Sequence, residues 1–196
     1  MKLRDKQKAE VKSALVRAGE ELFRTKGFTE TTIEEITGTA GVARGTFYNY
    51  FQTKEELALE ILYETEELTP KQVDDFFATT PGTDNQIQAL IANAVEWTLK
   101  RPELVLVTIL EKMKRGRTSE HPNGTLFRRM VTEAFERGQI AGVVTRERRP
   151  LELAIDIDGL YMVHMVRWYH YGKQDDLLSA LLSAVNTYLT GALIKQ

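Results

Sequence analysis

From Asp5 to Leu193 the apolar residues of this chain recur at steps of three and four, and no stretch alternates long enough to make a convincing strand. This period constrains the fold more than any other feature. Spacing of 3.6 residues gathers apolar side chains on one stripe of a helix, whereas a sheet needs a period of two. An all-α architecture of about nine helices is therefore expected. With 196 residues the chain can bury a sizeable core, either as one domain or as a small one joined to a larger.

Capping signals and breakers divide the periodic run. Val11, Ala14, Leu15, Ala18, Leu22 and Phe23 mark a first helix over 5–25, stopped by Lys26-Gly27. Thr31 or Thr32 can cap a short second helix ending at Ala40-Gly41, with Glu34 and Glu35 in the first turn, where the helix dipole favours carboxylates. A third short helix covers about 43–50. Thr53 and Glu56 have capping-box spacing and open a fourth helix from Lys54 towards Leu68. Pro70 is expected to break or kink it, and Pro81-Gly82 marks a loop. Further helices are expected over 84–100, from Pro102 to about Lys114, around Phe127 to Phe135, from Pro150 to Gly172, and over 175–193. Residues Gly116 to Gly124 read as a mobile loop.

Composition narrows the function classes. There is no cysteine, which excludes thiolate zinc sites, disulfides and cysteine nucleophiles and fits a reducing cytoplasm. The net charge of −2 hides an asymmetry. Residues 1–54 carry 10 Lys/Arg against 7 Asp/Glu, while the rest carries 16 against 21, a mildly basic head on an acidic body. The basic N-terminal residues run into an amphipathic segment rather than an apolar signal core, and no apolar run approaches the roughly 20 residues that cross a bilayer. A cytoplasmic protein with no membrane association is expected.

Two short helices joined by a tight glycine turn and braced by a longer one form a helix-turn-helix, and the turn here is Ala40-Gly41-Val42. Phe47 and Phe51, four apart, would anchor the third helix to Ile33, Ile36 and the first helix. Arg44, Gly45, Tyr48 and Asn49 are then left outward, a face suited to a groove lined by phosphates. Asn49 can read adenine or can simply end the helix; the spacing leaves both open.

The stretch Thr31-Thr32-Ile33-Glu34-Glu35-Ile36, then Ala40 to Phe51, then Thr53-Lys54-Glu55-Glu56-Leu57, resembles the TetR family of regulators, as do Ala18 to Phe23 and Lys26-Gly27-Phe28. The resemblance is specific over about residues 11–57 and only architectural beyond. It implies that Thr32, Thr46, Tyr48 and Lys54 contact phosphates and that Arg44, Gly45 and Asn49 lie on the DNA-facing surface. Two departures stand out. Ala43 replaces a common phosphate-binding serine, and Gly38 inside the second helix costs about 1 kcal/mol relative to alanine. The division implied is a DNA-binding domain over 1–53 and a helical ligand-binding and dimerisation domain over 54–196.

In the body, Ile157, Tyr161, His164, Trp168 and Tyr171 make one stripe of the helix after Pro150, and Ile155, Gly159, Met162 and Val166 another, roughly opposite. A helix apolar on two sides must be covered on two sides. The last helix repeats the pattern, with Leu178, Leu182, Val185 and Leu189 near one face and Leu177, Leu181, Ala184 and Tyr188 near another. A homodimer follows, and the resemblance places the last two helices in its interface, with Leu178, Leu182, Val185 and Leu189 as the candidate contacts. Trp97, Met113, Tyr161, His164 and Trp168 are candidates to line a pocket for an apolar or aromatic effector, although such aromatics also serve as plain core.

An enzyme would have to be built from His121, His164, His170, Asp156 and Asp158. His164 and His170 are six apart and point to different sides of one helix, unlike a metal-binding pair four apart. No nucleophile elbow, phosphate-cradling glycine loop or dinucleotide fingerprint is present. No catalytic activity, cofactor or metal is expected. A helical interaction protein that never touches DNA is the other class, and binding to a short palindrome separates the two. The function expected is a ligand-responsive transcriptional regulator, in this family most often a repressor, that binds a palindromic operator as a homodimer.

Overall fold

The computed structural model describes residues 3–65, 68–115, 126–171 and 176–192. Among them are ten helices and no strand: α1 (Leu3–Thr25), α2 (Ile33–Ala40), α3 (Arg44–Phe47), α4 (Lys54–Thr65), α5 (Pro70–Thr79), α6 (Thr83–Lys100), α7 (Pro102–Arg115), α8 (Leu126–Ile140), α9 (Pro150–His170) and α10 (Leu177–Ala192). The all-α expectation holds, with one helix more than expected. Pro70 does not kink a long fourth helix; it occupies the first turn of α5. Thr69 caps that helix, its hydroxyl accepting from the Gln72 amide at 3.3 Å while the Gln72 side chain accepts from the Thr69 amide at 3.0 Å. A proline at the first helical position lacks only an N–H that would have had no helical partner. The expected loop over 116–124, His121 within it, Gly172 and the limits set at Asp175 and Leu193 lie outside the described residues.

The chain forms two compact units, Met1–Thr65 with Arg101–Ser119, and Glu66–Lys100 with Glu120–Gln196. A boundary after residue 53 would separate α4 from partners to which it is packed. Leu57, Ala58 and Ile61 of α4 are buried, α4 packs on both α1 and α7, and Lys12 of α1 pairs with Glu60 of α4. In this first unit Leu15, Ile36, Phe47 and Leu57 are fully buried, and Phe47 and Phe51 stack at 5.7 Å. The two phenylalanines thus tie α3 into the core, as their four-residue spacing implied.

In the second unit α8 packs on α6 and α9, and α10 packs on α6 and α9. Across α8 and α9, Arg128 donates through Nε and Nη2 to one carboxylate oxygen of the buried Asp158. The inward face of α10 is Leu177, Leu181, Val185 and Leu189, all buried within the protomer. Val185 and Leu189, expected at the interface, are thus buried within the protomer, while Leu178 and Leu182 stay half-buried. Both sequence stripes ran close to this face, and the 100° step between neighbours let residues of each fall inside it.

Gly138, near the end of α8, is the tightest point of this unit. A Cβ there would lie 2.4 Å from Val144 Cγ2 and 2.5 Å from Thr83 Oγ1. Both neighbours are short, β-branched and buried, so neither can swing away. Gly138→Ala is expected to destabilise the protein by about 1–3 kcal/mol, the usual range for overpacking. Thermal unfolding checks this, and an unchanged melting temperature would contradict it.

Candidate nucleic-acid interface

A helix of eight residues and one of four leave almost all their terminal amides and carbonyls outside helical hydrogen bonds, so their ends decide whether they form. At the start of α2, Thr32 Oγ1 accepts from the Glu35 amide at 3.3 Å, and the Glu35 carboxylate accepts from the Thr32 amide at 2.9 Å. Lys26 Nζ reaches the same carboxylate at 2.6 Å. These bonds, Lys26 first, hold the Glu35 carboxyl down to about 2. The Thr32 hydroxyl also donates to Glu35 at 3.0 Å, so it already serves the cap.

At the other end Gly41 takes φ 70°, a left-handed conformation that glycine adopts without Cβ strain. Gly41 N donates to the Gly38 carbonyl at 3.2 Å and Val42 N to the Thr37 carbonyl at 3.0 Å, the paired closure of a Schellman turn. The chain then enters α3 through Ala43, which offers no side-chain cap. The reading helix is shorter than the sequence suggests, ending at Phe47, with residues 48–50 in a turn. Asn49 is exposed in that turn, beyond the helix proper.

With Phe47 fully buried, the outer side of α3 presents Arg44, Gly45 and Tyr48 to solvent, with Thr46 half-buried. A Cβ on Gly45 would meet nothing within 4 Å, so no contact inside the chain demands glycine there. Arg44 Nη1 lies 2.9 Å from Glu34 Oε1 of α2. A hydrogen bond to Tyr48, and then the Glu34 charge, raise the Arg44 guanidinium further above its ordinary range.

Lys54 occupies a different setting from the one its implied phosphate contact would suggest. Its Nζ donates to the carbonyls of Phe28 at 2.7 Å, Thr31 at 2.6 Å and Thr29 at 3.3 Å, and lies 4.4 Å from the centre of the Phe28 ring. An ammonium has three donors, and all three are engaged. Burial lowers its pKa. Lys54 thus gathers the carbonyls of the α1–α2 turn, and a phosphate could be reached only by releasing some of them. The sequence carried no local signal for this, because the partners lie 23 to 26 residues away.

The five candidate pocket residues are divided between the two units. Met113 belongs to the first unit and is 67 % exposed, whereas Trp97, Tyr161, His164 and Trp168 belong to the second. Trp168 is buried, the Tyr161 hydroxyl shares a hydrogen bond with the buried Thr98 hydroxyl, and His164 Nδ1 faces the Leu160 carbonyl at 2.8 Å. Two of the groups weighed for catalysis are likewise engaged. Asp158 pairs with Arg128, and Asp156 with Arg148 and Tyr188.

A helical chain whose first unit holds a helix-turn-helix, with α2 capped at both ends and an outward polar face on α3, belongs to the class of helix-turn-helix DNA-binding proteins. Residues 15–61 match the model of the bacterial regulatory proteins of the tetR family. Over 50 residues, 26 % of this chain, it is 42 % identical to the uncharacterized HTH-type transcriptional regulator YerO of Bacillus subtilis, a match spanning 17 % of that protein's length. Against the HTH-type transcriptional regulator TtgR of Pseudomonas putida, identity is 27 % over 203 residues, covering 95 % of this chain and 93 % of the relative. The fold superposes on Thermus thermophilus FadR, a TetR-family transcriptional repressor solved with lauroyl-CoA, with a TM-score of 0.79 and 25 % identity, covering 94 % of this chain and 96 % of that one. The chain is thus similar to TetR-family transcriptional regulators, in its family-model match over residues 15–61 and in its fold along nearly the whole length.

Replacing Lys54 separates its two possible tasks. Lys54→Met removes the ammonium from three carbonyls, of which that of Phe28 keeps the Thr31 amide as a donor, and is expected to lower stability by about 1–3 kcal/mol. The slope of log affinity against log salt for DNA should stay nearly unchanged. A slope smaller by about 0.9 with unchanged melting would instead mark a lost phosphate contact.

Proposed function

We propose that this protein is a ligand-responsive transcriptional regulator, a repressor, that binds a palindromic operator as a homodimer, with α3 of each protomer in successive major grooves. The observation that carries this reading is the face of α3. Phe47 fixes the helix in the core while Arg44, Gly45 and Tyr48, with Asn49 just beyond, remain outward. Tyr48 and Thr46, with Thr32 at the head of α2, are assigned to phosphates, and Arg44 and Asn49 to base edges. Gly45 would let the DNA backbone approach closely. No helix among the described residues is long and apolar enough to cross a membrane, which suits a cytoplasmic site of action.

Dimerisation is supported by the second face of α9. Ile155 and Val163 remain exposed, Val163 at 64 %, and Gly159, Met162 and Val166 beside them are only half covered within a protomer. Twofold DNA is matched by a twofold protein, and a second copy of this chain covers the stripe symmetrically. Leu178 and Leu182 of α10, still half-buried, complete the surface. The effector is assigned to the second unit, near the stripe Ile157, Tyr161, His164 and Trp168. It is apolar or aromatic with one hydrogen-bonding group, and a ligand entering there would take over the bond between Thr98 and Tyr161. The Thermus relative was solved with lauroyl-CoA, of which the acyl chain is apolar. A coupling of about 1–3 kcal/mol suffices for regulation, and operator DNA must weaken effector binding by the same factor.

Selection from a random DNA pool is expected to yield a palindrome bound by two protomers. Tyr48→Ala should weaken operator and unrelated DNA alike, since phosphates carry no sequence information. Asn49→Ala should relax preference at single positions. Failure to enrich any sequence, or an unchanged affinity for Tyr48→Ala, would contradict the docking arrangement.

A further inference from the structure

An acidic side chain stands on the same outward surface as the residues assigned to DNA. Glu34, in the first turn of α2, places Oε1 2.9 Å from Arg44 Nη1 at the first residue of α3. Both side chains are more than half exposed, at 56 % and 62 %, so the pair contributes little to folding. Tyr48, just past the end of α3 and also exposed, is a further neighbour that favours the charged guanidinium.

We infer that Glu34 is a specificity-determining residue of the reading head, which holds the Arg44 guanidinium in place and withholds it from phosphates. The inference rests on the assignment of Arg44 to DNA made above. A free arginine on such a face binds any phosphate equally well, and that attraction is independent of sequence. A carboxylate at hydrogen-bond distance competes for the same donors, so a phosphate must displace it. A guanine edge offers two acceptors, O6 and N7, to a guanidinium presented in a fixed orientation, and it carries no full negative charge to repel the acid. Glu34 thus penalises contacts that every sequence offers more than contacts that one sequence offers. The cost of removing it falls on discrimination and not on stability.

The test compares the intact protein with Glu34→Gln, Glu34→Ala, Arg44→Ala and the Glu34→Gln/Arg44→Ala double variant. Each is titrated with the selected operator and with a short duplex of random sequence over a range of salt. Glu34→Gln and Glu34→Ala should bind random DNA about two- to fivefold more tightly, the range an exposed ion pair spans. Their salt dependence should steepen, their melting temperature should stay unchanged, and the operator-to-random ratio should fall. In the Arg44→Ala background the Glu34 substitution should add nothing, because the acid acts through that arginine. Two outcomes overturn the inference: random-DNA affinity unchanged by the Glu34 variants, or an equal gain with Arg44 absent, which would reduce Glu34 to simple repulsion of phosphates. If Arg44→Ala alone keeps full operator affinity and preference, the assignment of Arg44 to DNA has failed, a result separable from both.

Discussion

Short helices with satisfied ends are the constraint on which the head depends. In isolation neither α2 nor α3 is long enough to persist in water, since nucleation is unfavourable and propagation has too few residues to offset it. Caps, one long-range anchor and one core contact hold them. The Thr32–Glu35 box closes one end of α2, the αL glycine at 41 closes the other, and Lys54 binds the carbonyls of the preceding turn from 23 to 26 residues away. Phe47, fully buried, then fixes α3 rotationally. Only with all four in place does the polar face of α3 have a defined direction, and a defined direction is what distinguishes a reading surface from a basic patch.

The second unit is organised by different physics. Apart from the ten-residue, capped α5, its helices are longer, and packing does most to position them. Asp158 is a buried charge, tolerable because Arg128 supplies two donors to one of its oxygens. Removing Arg128 would strip the buried carboxylate of these two donors, which is costlier than replacing both residues with apolar groups. The pair links α8 to α9 on the side of α9 that buries Leu153, Ile157 and Met165, while Ile155 and Val163 of the stripe assigned to the twofold interface stay exposed.

Much of the head was legible from sequence because its signals are local. Gly41 announced its turn, Phe47 and Phe51 announced the core face, and Thr53 and Glu56 the start of α4. Even there the detail shifts. The Glu56 amide donates to Thr53 Oγ1 at 3.2 Å, but the carboxylate of Glu56 reaches back to Gln52 instead of Thr53. The sequence Thr69-Pro70-Lys71-Gln72 held a complete start signal for α5, and reading its proline only as a breaker hid a helix. The role of Lys54, the Arg128–Asp158 pair and the inward rotation of α10 were not legible, because each depends on partners distant in sequence. Apolar periodicity shows that α9 and α10 have two apolar sides but cannot rank them. That is why Val185 and Leu189 pass from the expected interface into the core.

Hydrogen exchange on the protein with and without its selected operator tests the central claim most directly, because it reports the backbone at the surface that DNA covers. Operator binding should slow exchange over residues 43–50 and around the head of α2 at 32–35, and unrelated DNA at the same salt should do so far less. If bound operator left those amides unchanged and protected another surface, the helix-turn-helix would not be the reading head.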